Sequence, residues 1–230
     1  MSRPLLIGHR GWPGRFPDNT LAAFLAVSVV ADMVELDVRR SGDGKLILAH
    51  DPSLGGLSVH ATAWSELAEL DLGDGHHPAL LDEVLAAIPA LPAQLEIKNA
   101  PGDPGYEPDH RLALEVADRA RNGDIVTSFN PSTIEAVRRD FNHVSTGLAV
   151  EFPESIEDVV QYCQDAGHAA LVPAAGLAGI WIADARGEGL EIFPWTVNDP
   201  HIAAELVDLG VSGIITDDPE AIGPVIRGET

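Results

Sequence analysis

The stretch Val34-Glu35-Leu36-Asp37-Val38 decides how the rest of the chain is arranged. In an extended strand successive side chains point to opposite faces, so Glu35 and Asp37 share one face and the apolar residues share the other. Keeping two carboxylates ionised in a partly buried place is costly, because desolvation and mutual repulsion both favour protonation. A divalent cation would remove that cost. The stretch therefore predicts a strand with a cation-binding face.

The composition is that of a globular protein, and we expect residues 1–230 to form a single domain. The chain is 45% hydrophobic and 22% charged, and no apolar run reaches the roughly 18 residues needed to span a bilayer. The single cysteine, Cys163, excludes an intramolecular disulfide framework. The short stretch before the first apolar strand, 1–6, does not have the pattern of a signal peptide. We therefore expect a cytoplasmic location and no membrane insertion.

The net charge limits the class of partner. A formal charge of -22 argues against nucleic acids and anionic membranes, which attract positively charged surfaces. If the ligand is a small anion, the overall field repels it. Local cations at the binding site must then offset that repulsion.

Apolar strands alternate with amphipathic helices along the whole chain, which favours a parallel α/β fold. Eight strand-helix steps of this size predict a single (β/α)8 TIM barrel with a short insertion after strand 2. A doubly wound open sheet is the competing fold, but no GxGxxG motif follows the first strand. The predicted strands are 5–8, 33–39, 94–98, 125–128, 144–150, 169–172, 191–197 and 213–216, and the predicted helices are 21–30, 81–88, 109–121, 131–140, 155–166, 177–186 and 200–209.

A turn and a long loop follow the second strand. A two-residue turn at Asp43-Gly44 would pair Gly42 with Lys45, and counting outward then places Asp37 opposite His50. Residues 51–78 are rich in Gly, Asp and His and predict a loop with one short helix at 64–69. Because long loops in compact domains are often functional, this segment is expected to cover the site.

A third carboxylate repeats the pattern of the first two. In Gln94-Leu95-Glu96-Ile97-Lys98, Glu96 lies on the polar face of the next barrel strand. Three carboxylates make an all-oxygen site, which favours one Mg²⁺, Ca²⁺ or Mn²⁺ over zinc. The alternative is a set of surface acids paired with arginines, and the alternation with apolar residues argues against it.

Two histidines and two basic residues lie near the same strand ends. His9 and His50 are suited to general acid and general base catalysis near neutral pH, although each alone could be structural or a metal ligand. Arg10 and Lys98 add fixed positive charge beside the acids. Together these groups predict an anionic ligand held between metal and cations, for which phosphate is the obvious candidate.

Three aromatic residues are candidates for the wall of a substrate pocket. Trp195 lies on the seventh predicted strand, and Phe129 ends the fourth. Trp12 follows the His9-Arg10 strand end, where a packing role is equally compatible with its position. Such residues would provide apolar surface beside the polar groups.

The motifs together resemble those of the glycerophosphodiester phosphodiesterases. The resemblance implies a barrel enzyme that hydrolyses glycerophosphodiesters to sn-glycerol 3-phosphate and an alcohol. It further implies that His9 and His50 form the acid/base pair, that Glu35, Asp37 and Glu96 bind the divalent cation, that Arg10 and Lys98 contact phosphate, and that Trp195 forms a pocket wall. The motifs that carry it are Gly8-His9-Arg10-Gly11, Pro17-Asp18-Asn19-Thr20, Glu35-Leu36-Asp37-Val38, Asp43-Gly44, His50-Asp51, Glu96-Ile97-Lys98, Ser128-Phe129, Trp195-Thr196-Val197-Asn198 and Gly213-Ile214-Ile215-Thr216-Asp217.

Two departures and three alternatives accompany the resemblance. The family usually has Glu where this chain has Asp18, and residues 51–80 are a short, Gly- and His-rich version of its inserted segment. A lysophospholipase D or sphingomyelinase D-like phosphodiesterase is the nearest alternative. A metal-dependent barrel lyase or aldolase, with Lys98 as its lysine, and a non-catalytic binding protein are the others. The nucleophile is either water or the glycerol 2-hydroxyl, and either histidine can be the acid.

Overall fold

The computed structural model describes residues 3–229, and its central feature is a ring of eight parallel strands. The strands are β1 (Leu5–Gly8), β2 (Met33–Arg40), β3 (Leu46–Leu48), β4 (Ser53–Leu54), β5 (Leu57–Ser58), β6 (Ala93–Ile97), β7 (Ile125–Ser128), β8 (Ser145–Val150), β9 (Ala170–Pro173), β10 (Glu191–Ile192) and β11 (Gly213–Thr216). The helices are α1 (Leu21–Val27), α2 (Trp64–Leu67), α3 (Leu81–Ala87), α4 (Arg111–Ala117), α5 (Pro131–Asp140), α6 (Ile156–Ala166), α7 (Trp181–Gly187), α8 (Pro200–Leu209) and α9 (Pro219–Arg227).

The ring runs in the order β10-β9-β8-β7-β6-β2-β1-β11. Three backbone hydrogen bonds join its two ends: Ser212 N–H donates to Ile192 O (2.9 Å), Ile215 N–H to Pro194 O (3.0 Å) and Val197 N–H to Ile215 O (3.0 Å). β3 pairs antiparallel with β2, and β4 and β5 form a small separate hairpin. The predicted TIM barrel with an insertion after its second strand is confirmed.

The alternation in β2 separates the core from the interior of the barrel. Val34, Leu36 and Val38 are fully buried and pack outward with Phe24 of α1 and with other apolar residues of the surrounding helices. Since neighbouring side chains of a strand point oppositely, Glu35 and Asp37 face the inside of the ring. The apolar contacts with the helices therefore hold the two acids in place.

The predicted register of the hairpin after β2 is wrong by one residue. Val38 pairs with Leu48, and the Ala49 N–H donates to Asp37 O (3.0 Å), so Asp37 lies opposite Ala49 and not His50. The turn has three residues, because Ser41 N–H donates to Lys45 O (2.9 Å) and Gly44 has a left-handed φ of 87°. Glycine tolerates this conformation, so the longer turn is accessible.

The predicted bounds of several elements also differ from the structure; for example, the helix expected at 109–121 spans Arg111–Ala117. The seventh barrel strand is regular only over Glu191–Ile192, because Pro194 has no N–H to donate to a ladder. The helix expected at 177–186 begins at Trp181, after a short 3-10 turn, and the helix expected to reach residue 30 ends at Val27. Nowhere between residues 3 and 229 is a helix long and apolar enough to cross a membrane.

A buried ion pair ties the loops together at the amino ends of the strands. Arg121 donates to both carboxylate oxygens of Asp124 (2.9 and 3.1 Å) and to the carbonyls of three residues at the end of α3 and in the segment before β6. Asp124 also accepts from the N–H of Ala93, the first residue of β6 (2.8 Å). Its carboxylate is only 1% exposed, so Arg121 is its necessary counter-charge.

We expect the substitution Arg121→Met to lower the free energy of unfolding by about 3 kcal/mol, because Asp124 would stay buried without a counter-charge. Urea unfolding at neutral pH measures the change. The matched control is Arg139→Met, which breaks the exposed Arg139–Asp140 pair and should leave the free energy of unfolding nearly unchanged. Equal losses for the two variants would contradict the assignment.

Candidate active site

A cavity of about 350 Å³ opens at the carboxyl ends of the barrel strands. This is the end at which barrel enzymes carry their chemistry. Eight of the ten residues singled out in the sequence line it, and another, Asp37, lies buried among them. The eight lining residues are His9, Arg10, Glu35, His50, Glu96, Lys98, Phe129 and Trp195.

Three carboxylates form a cluster on the inner face of β2 and β6. The strands are in register, with Asp37 opposite Glu96 and Glu35 opposite Gln94. One oxygen from each of Glu35, Asp37 and Glu96 lies within 4.8 Å of the others, and all three residues are buried. Oxygen donors at this spacing fit a hard divalent cation.

Two basic side chains neutralise the cluster. Lys98 Nζ is 2.8 Å from Asp37 Oδ1 and is also ion-paired with Glu96, and Arg10 Nε is 3.2 Å from Asp37 Oδ2. Asn19 holds Asp37 in place with two hydrogen bonds. Its side-chain N–H donates to Asp37 Oδ2 (2.8 Å), and its side-chain oxygen accepts from the Asp37 N–H (3.2 Å). Burial alone would raise the pKa of Asp37, but Lys98 and Arg10 lower that pKa to about 2. Asp37 is therefore ionised.

Glu35 behaves differently from Asp37. Its Oε2 accepts the N–H of Arg10 (3.0 Å), whereas its buried Oε1 has no hydrogen-bond partner among residues 3–229. Burial, with the nearby charges of Asp37 and Glu96, holds the pKa of Glu35 well above its usual range. A cation bound beside these carboxylates would reverse that effect, and it would also satisfy the unpaired oxygen.

His9 is oriented by a hydrogen-bonded chain that reaches the last barrel strand. Its Nδ1 is 2.7 Å from Asp217 Oδ1, and Asn198 donates to the other oxygen of that carboxylate (2.8 Å). Burial tends to raise the pKa of Asp217, but the hydrogen bonds from His9 and Asn198 lower it overall, so the carboxylate stays ionised. The second ring nitrogen, Nε2, lies 3.9 Å from Glu35 Oε2, beside the carboxylate cluster.

His50 has an equivalent carboxylate partner from its immediate neighbour. Its Nδ1 lies 2.8 Å from Asp51 Oδ1, and its side chain is 41% exposed at the cavity rim. The buried Arg39 donates from Nε to the backbone carbonyl of His50 (2.8 Å) and contacts Asp103 at 3.6 Å. His50 therefore reaches the site even though it does not lie opposite Asp37.

The aromatic candidates separate into two groups. Phe129 and Trp195 stack edge to face with 5.5 Å between ring centroids and form an apolar wall of the cavity. Lys98 Nζ lies 5.8 Å from the centre of the Phe129 ring. The structure does not bring Trp12 to this wall: it is 6% exposed, belongs to the core that contains Phe24, and is covered by Arg15.

Four residues of the site were assigned no individual role from the sequence, although all but Arg39 lie in the motifs of the resemblance: Asn19, Arg39, Asn198 and Asp217. Asn198 and Asp217 follow the last two predicted barrel strands. A polar residue at that position indicates a site residue, so the sequence alone could have identified both. Asn19 lies outside any strand, and no pattern in the sequence links it to Asp37. Asp18, the departure from the family pattern, still reaches Arg10 Nη1 at 3.3 Å.

Comparison with known proteins agrees with the fold and shows the family. Residues 9–221 match the pattern of the glycerophosphoryl diester phosphodiesterase family. Bacillus subtilis YhdW is 30% identical over 233 residues, covering 94% of this chain and 96% of that protein. The glycerophosphodiester phosphodiesterase of Caldanaerobacter subterraneus subsp. tengcongensis is 28% identical, covering 98% of each chain. An Oleispira antarctica phosphodiesterase, solved with the product sn-glycerol-3-phosphate, superimposes with a TM-score of 0.86 at 23% identity, over 98% of this chain and 97% of that one.

A barrel whose cavity combines carboxylates, basic groups and carboxylate-bonded histidines defines an enzyme of the phosphodiesterase class. The chain belongs to the glycerophosphoryl diester phosphodiesterase family.

The raised pKa of Glu35 predicts how cation binding depends on pH. Protons compete with the cation for Glu35, so the rise in melting temperature caused by a divalent salt should grow as the pH rises above the ordinary carboxyl pKa. Without a divalent cation the sign reverses: folding favours protonated Glu35, so the free energy of unfolding should fall as pH rises above the ordinary carboxyl pKa.

Thermal unfolding of the wild-type protein and of Glu35→Gln, with and without MgCl₂, measures both effects. Glu35→Gln should lose the cation-dependent shift and the associated slope with pH. The exposed Glu220, substituted by Gln, is the matched control and should behave as wild type. A cation shift that is unchanged by Glu35→Gln would contradict the assignment of the site.

Proposed function

We propose that this protein hydrolyses glycerophosphodiesters to sn-glycerol 3-phosphate and an alcohol, with one Mg²⁺, Ca²⁺ or Mn²⁺ bound by Glu35, Asp37 and Glu96. The observation that carries the proposal is one cavity lined by carboxylates, by basic side chains that include Arg10 and Lys98, and by two histidines each bonded to a carboxylate. A binding protein without catalytic activity would have no need for such histidines. A cytoplasmic location remains a prediction.

The phosphate is the centre of the proposed complex. Arg10 and Lys98 lie on the cavity surface beside the acidic cluster, where they supply positive charge to the nonbridging oxygens. The protein has a net charge of -22, so these groups and the cation must reverse the field locally. A bound divalent cation would neutralise part of the charge that develops on the phosphoryl oxygens.

The histidines supply the proton transfers in this mechanism. One withdraws a proton from the nucleophile, water or the glycerol 2-hydroxyl, and the other donates a proton to the leaving alcohol oxygen. When the Nδ1 hydrogen of His9 is donated to Asp217, its Nε2 presents a lone pair beside the cluster. Asp51 provides the same arrangement for His50. The carboxylates keep each ring oriented.

The geometry argues against a Schiff-base aldolase. Such an enzyme needs a neutral lysine, and Lys98 is the lysine at the cavity. Burial alone would lower the pKa of Lys98, but Glu96 and Asp37 raise it above its usual value. Lys98 is therefore a fixed cation, suited to binding phosphate and unsuited to attacking a carbonyl group.

A lysophospholipase D is the second candidate, favoured by one observation. Phe152 and Ile180 lie on the loops that follow β8 and β9, at the end of the barrel that carries the cavity, and each is 87% exposed. Exposed apolar residues of this size could contact an acyl chain. The Gly-, Asp- and His-rich segment 51–78 predicts polar surface beside the cavity. Phe152 and Ile180 instead add apolar surface on the loops after β8 and β9.

An activity screen tests the function. After exhaustive chelation the protein should be inactive, and added Mg²⁺, Ca²⁺ or Mn²⁺ should restore release of sn-glycerol 3-phosphate from glycerophosphocholine, glycerophosphoethanolamine or glycerophosphoglycerol. A lysophospholipid in the same screen tests the second candidate, and preference for it should fall in Phe152→Ser. Undiminished activity after chelation would contradict the cation site.

Substitution of the histidines tests the mechanism. His9→Ala and His50→Ala should each lower kcat by about 10²-fold to 10⁴-fold while leaving the melting temperature nearly unchanged, because general acid-base catalysis contributes about this much. The matched control is His143→Ala, at an exposed position between α5 and β8, and it should retain full activity. Near-normal turnover in either active-site variant would refute the acid/base assignment.

A further inference from the structure

Gln94 is a buried polar residue of the cavity that has no part in the mechanism described above. It lies on β6 opposite Glu35, and it faces the same side of the strand as Glu96, two residues further on. The residue is 1% exposed overall, yet it contributes to the lining of the cavity. Its position is one layer deeper in the barrel than the ion pair between Lys98 and Glu96.

The side-chain amide of Gln94 has a hydrogen-bond partner for its nitrogen but none for its oxygen among residues 3–229. The amide nitrogen donates to Thr127 Oγ1 on the neighbouring strand (3.4 Å), which directs the oxygen away from β7. The oxygen is buried and has no donor among the side chains and backbone of residues 3–229. Buried amide oxygens without a donor are costly, and native proteins rarely keep them.

A molecule bound in the cavity can supply the remaining donor, because Gln94 contributes to the cavity lining. The cavity is also lined by apolar side chains from the inside of the barrel, such as Val172 and Ile215. A ligand hydroxyl that reaches this depth would find Gln94 Oε1 as its acceptor.

The polarity of the cavity indicates which half of the substrate reaches inward. Around the rim, Asp51 is 72% exposed, and Asp103 and Glu151 are also accessible. The rim is therefore solvated and acidic. Such surroundings suit the leaving alcohol, which differs from one glycerophosphodiester to another. The half that stays the same in every glycerophosphodiester is glycerol, and its hydroxyls are hydrogen-bond donors.

We propose that Gln94 binds a hydroxyl of the substrate's glycerol group and thereby selects glycerophosphodiesters over other phosphodiesters. This inference rests on the proposed function and extends it to the recognition of the glycerol side. Gln94 is a specificity-determining residue in this account, since it contacts the glycerol group and not the phosphorus or the leaving alcohol oxygen. A site that hydrogen-bonds a substrate hydroxyl discriminates strongly against analogues that lack it.

The test combines changes in the protein with changes in the substrate. Wild type and Gln94→Met are compared on glycerophosphocholine, on its two monodeoxy analogues and on bis(4-nitrophenyl) phosphate, which has no glycerol. Gln94→Met should lower kcat/KM for glycerophosphocholine by about 10-fold and leave bis(4-nitrophenyl) phosphate unaffected. On the analogue lacking the recognised hydroxyl, the two proteins should be equal, because the interaction is already absent.

The control is Gln161→Met, on an exposed face of α6, which should leave all four rates unchanged. Equal losses on every substrate would show a structural role for Gln94 and overturn the proposal, as would no loss on glycerophosphocholine. If Gln94→Met fails to fold, the wild-type protein decides alone: hydrolysis of both monodeoxy analogues as fast as glycerophosphocholine overturns the proposal. Wild-type protein that cleaves bis(4-nitrophenyl) phosphate but no glycerophosphodiester would instead overturn the proposed function.

Discussion

The structure depends on the balance of charge around three carboxylates inside the barrel. Glu35, Asp37 and Glu96 are all less than 9% exposed, and carboxylates this close cannot all ionise there without compensation. Lys98 and Arg10 supply part of it and keep Asp37 ionised, while Glu35 retains an elevated pKa. The same imbalance that makes the cluster unfavourable in isolation fits it to a divalent cation.

Much of this arrangement follows from local patterns in the sequence. The period-2 alternation of β2 and β6 was enough to place the three acids on one face, because packing of Val34 and Leu36 against the helices leaves the acids no other direction. The strand-helix alternation likewise predicted the barrel. Both inferences use interactions between residues that are close in the chain or share a regular repeat, and such patterns are visible without coordinates.

The errors and omissions concern contacts that no local pattern encodes. The register of the β2–β3 hairpin depended on a single residue in a turn, and the left-handed Gly44 lengthened that turn. Trp12 followed a strand end, as a pocket residue would, but the path of the loop turns it into the core. Asn19 donates a hydrogen bond to Asp37, and Arg39 donates one to the carbonyl of His50. Both contacts exist only once the chain has folded, so no sequence pattern indicates them.

The hydrogen bond between His9 and Asp217 joins residues that are 208 positions apart. Strands β2 and β6, which carry the carboxylates, are complete by residue 97, whereas His9 has no carboxylate on its Nδ1 until β11 has joined the ring. During synthesis a nascent chain would therefore contain the three carboxylates long before it could orient His9. The hydrogen bond that orients His9 forms only after the last strand has emerged and the barrel has closed.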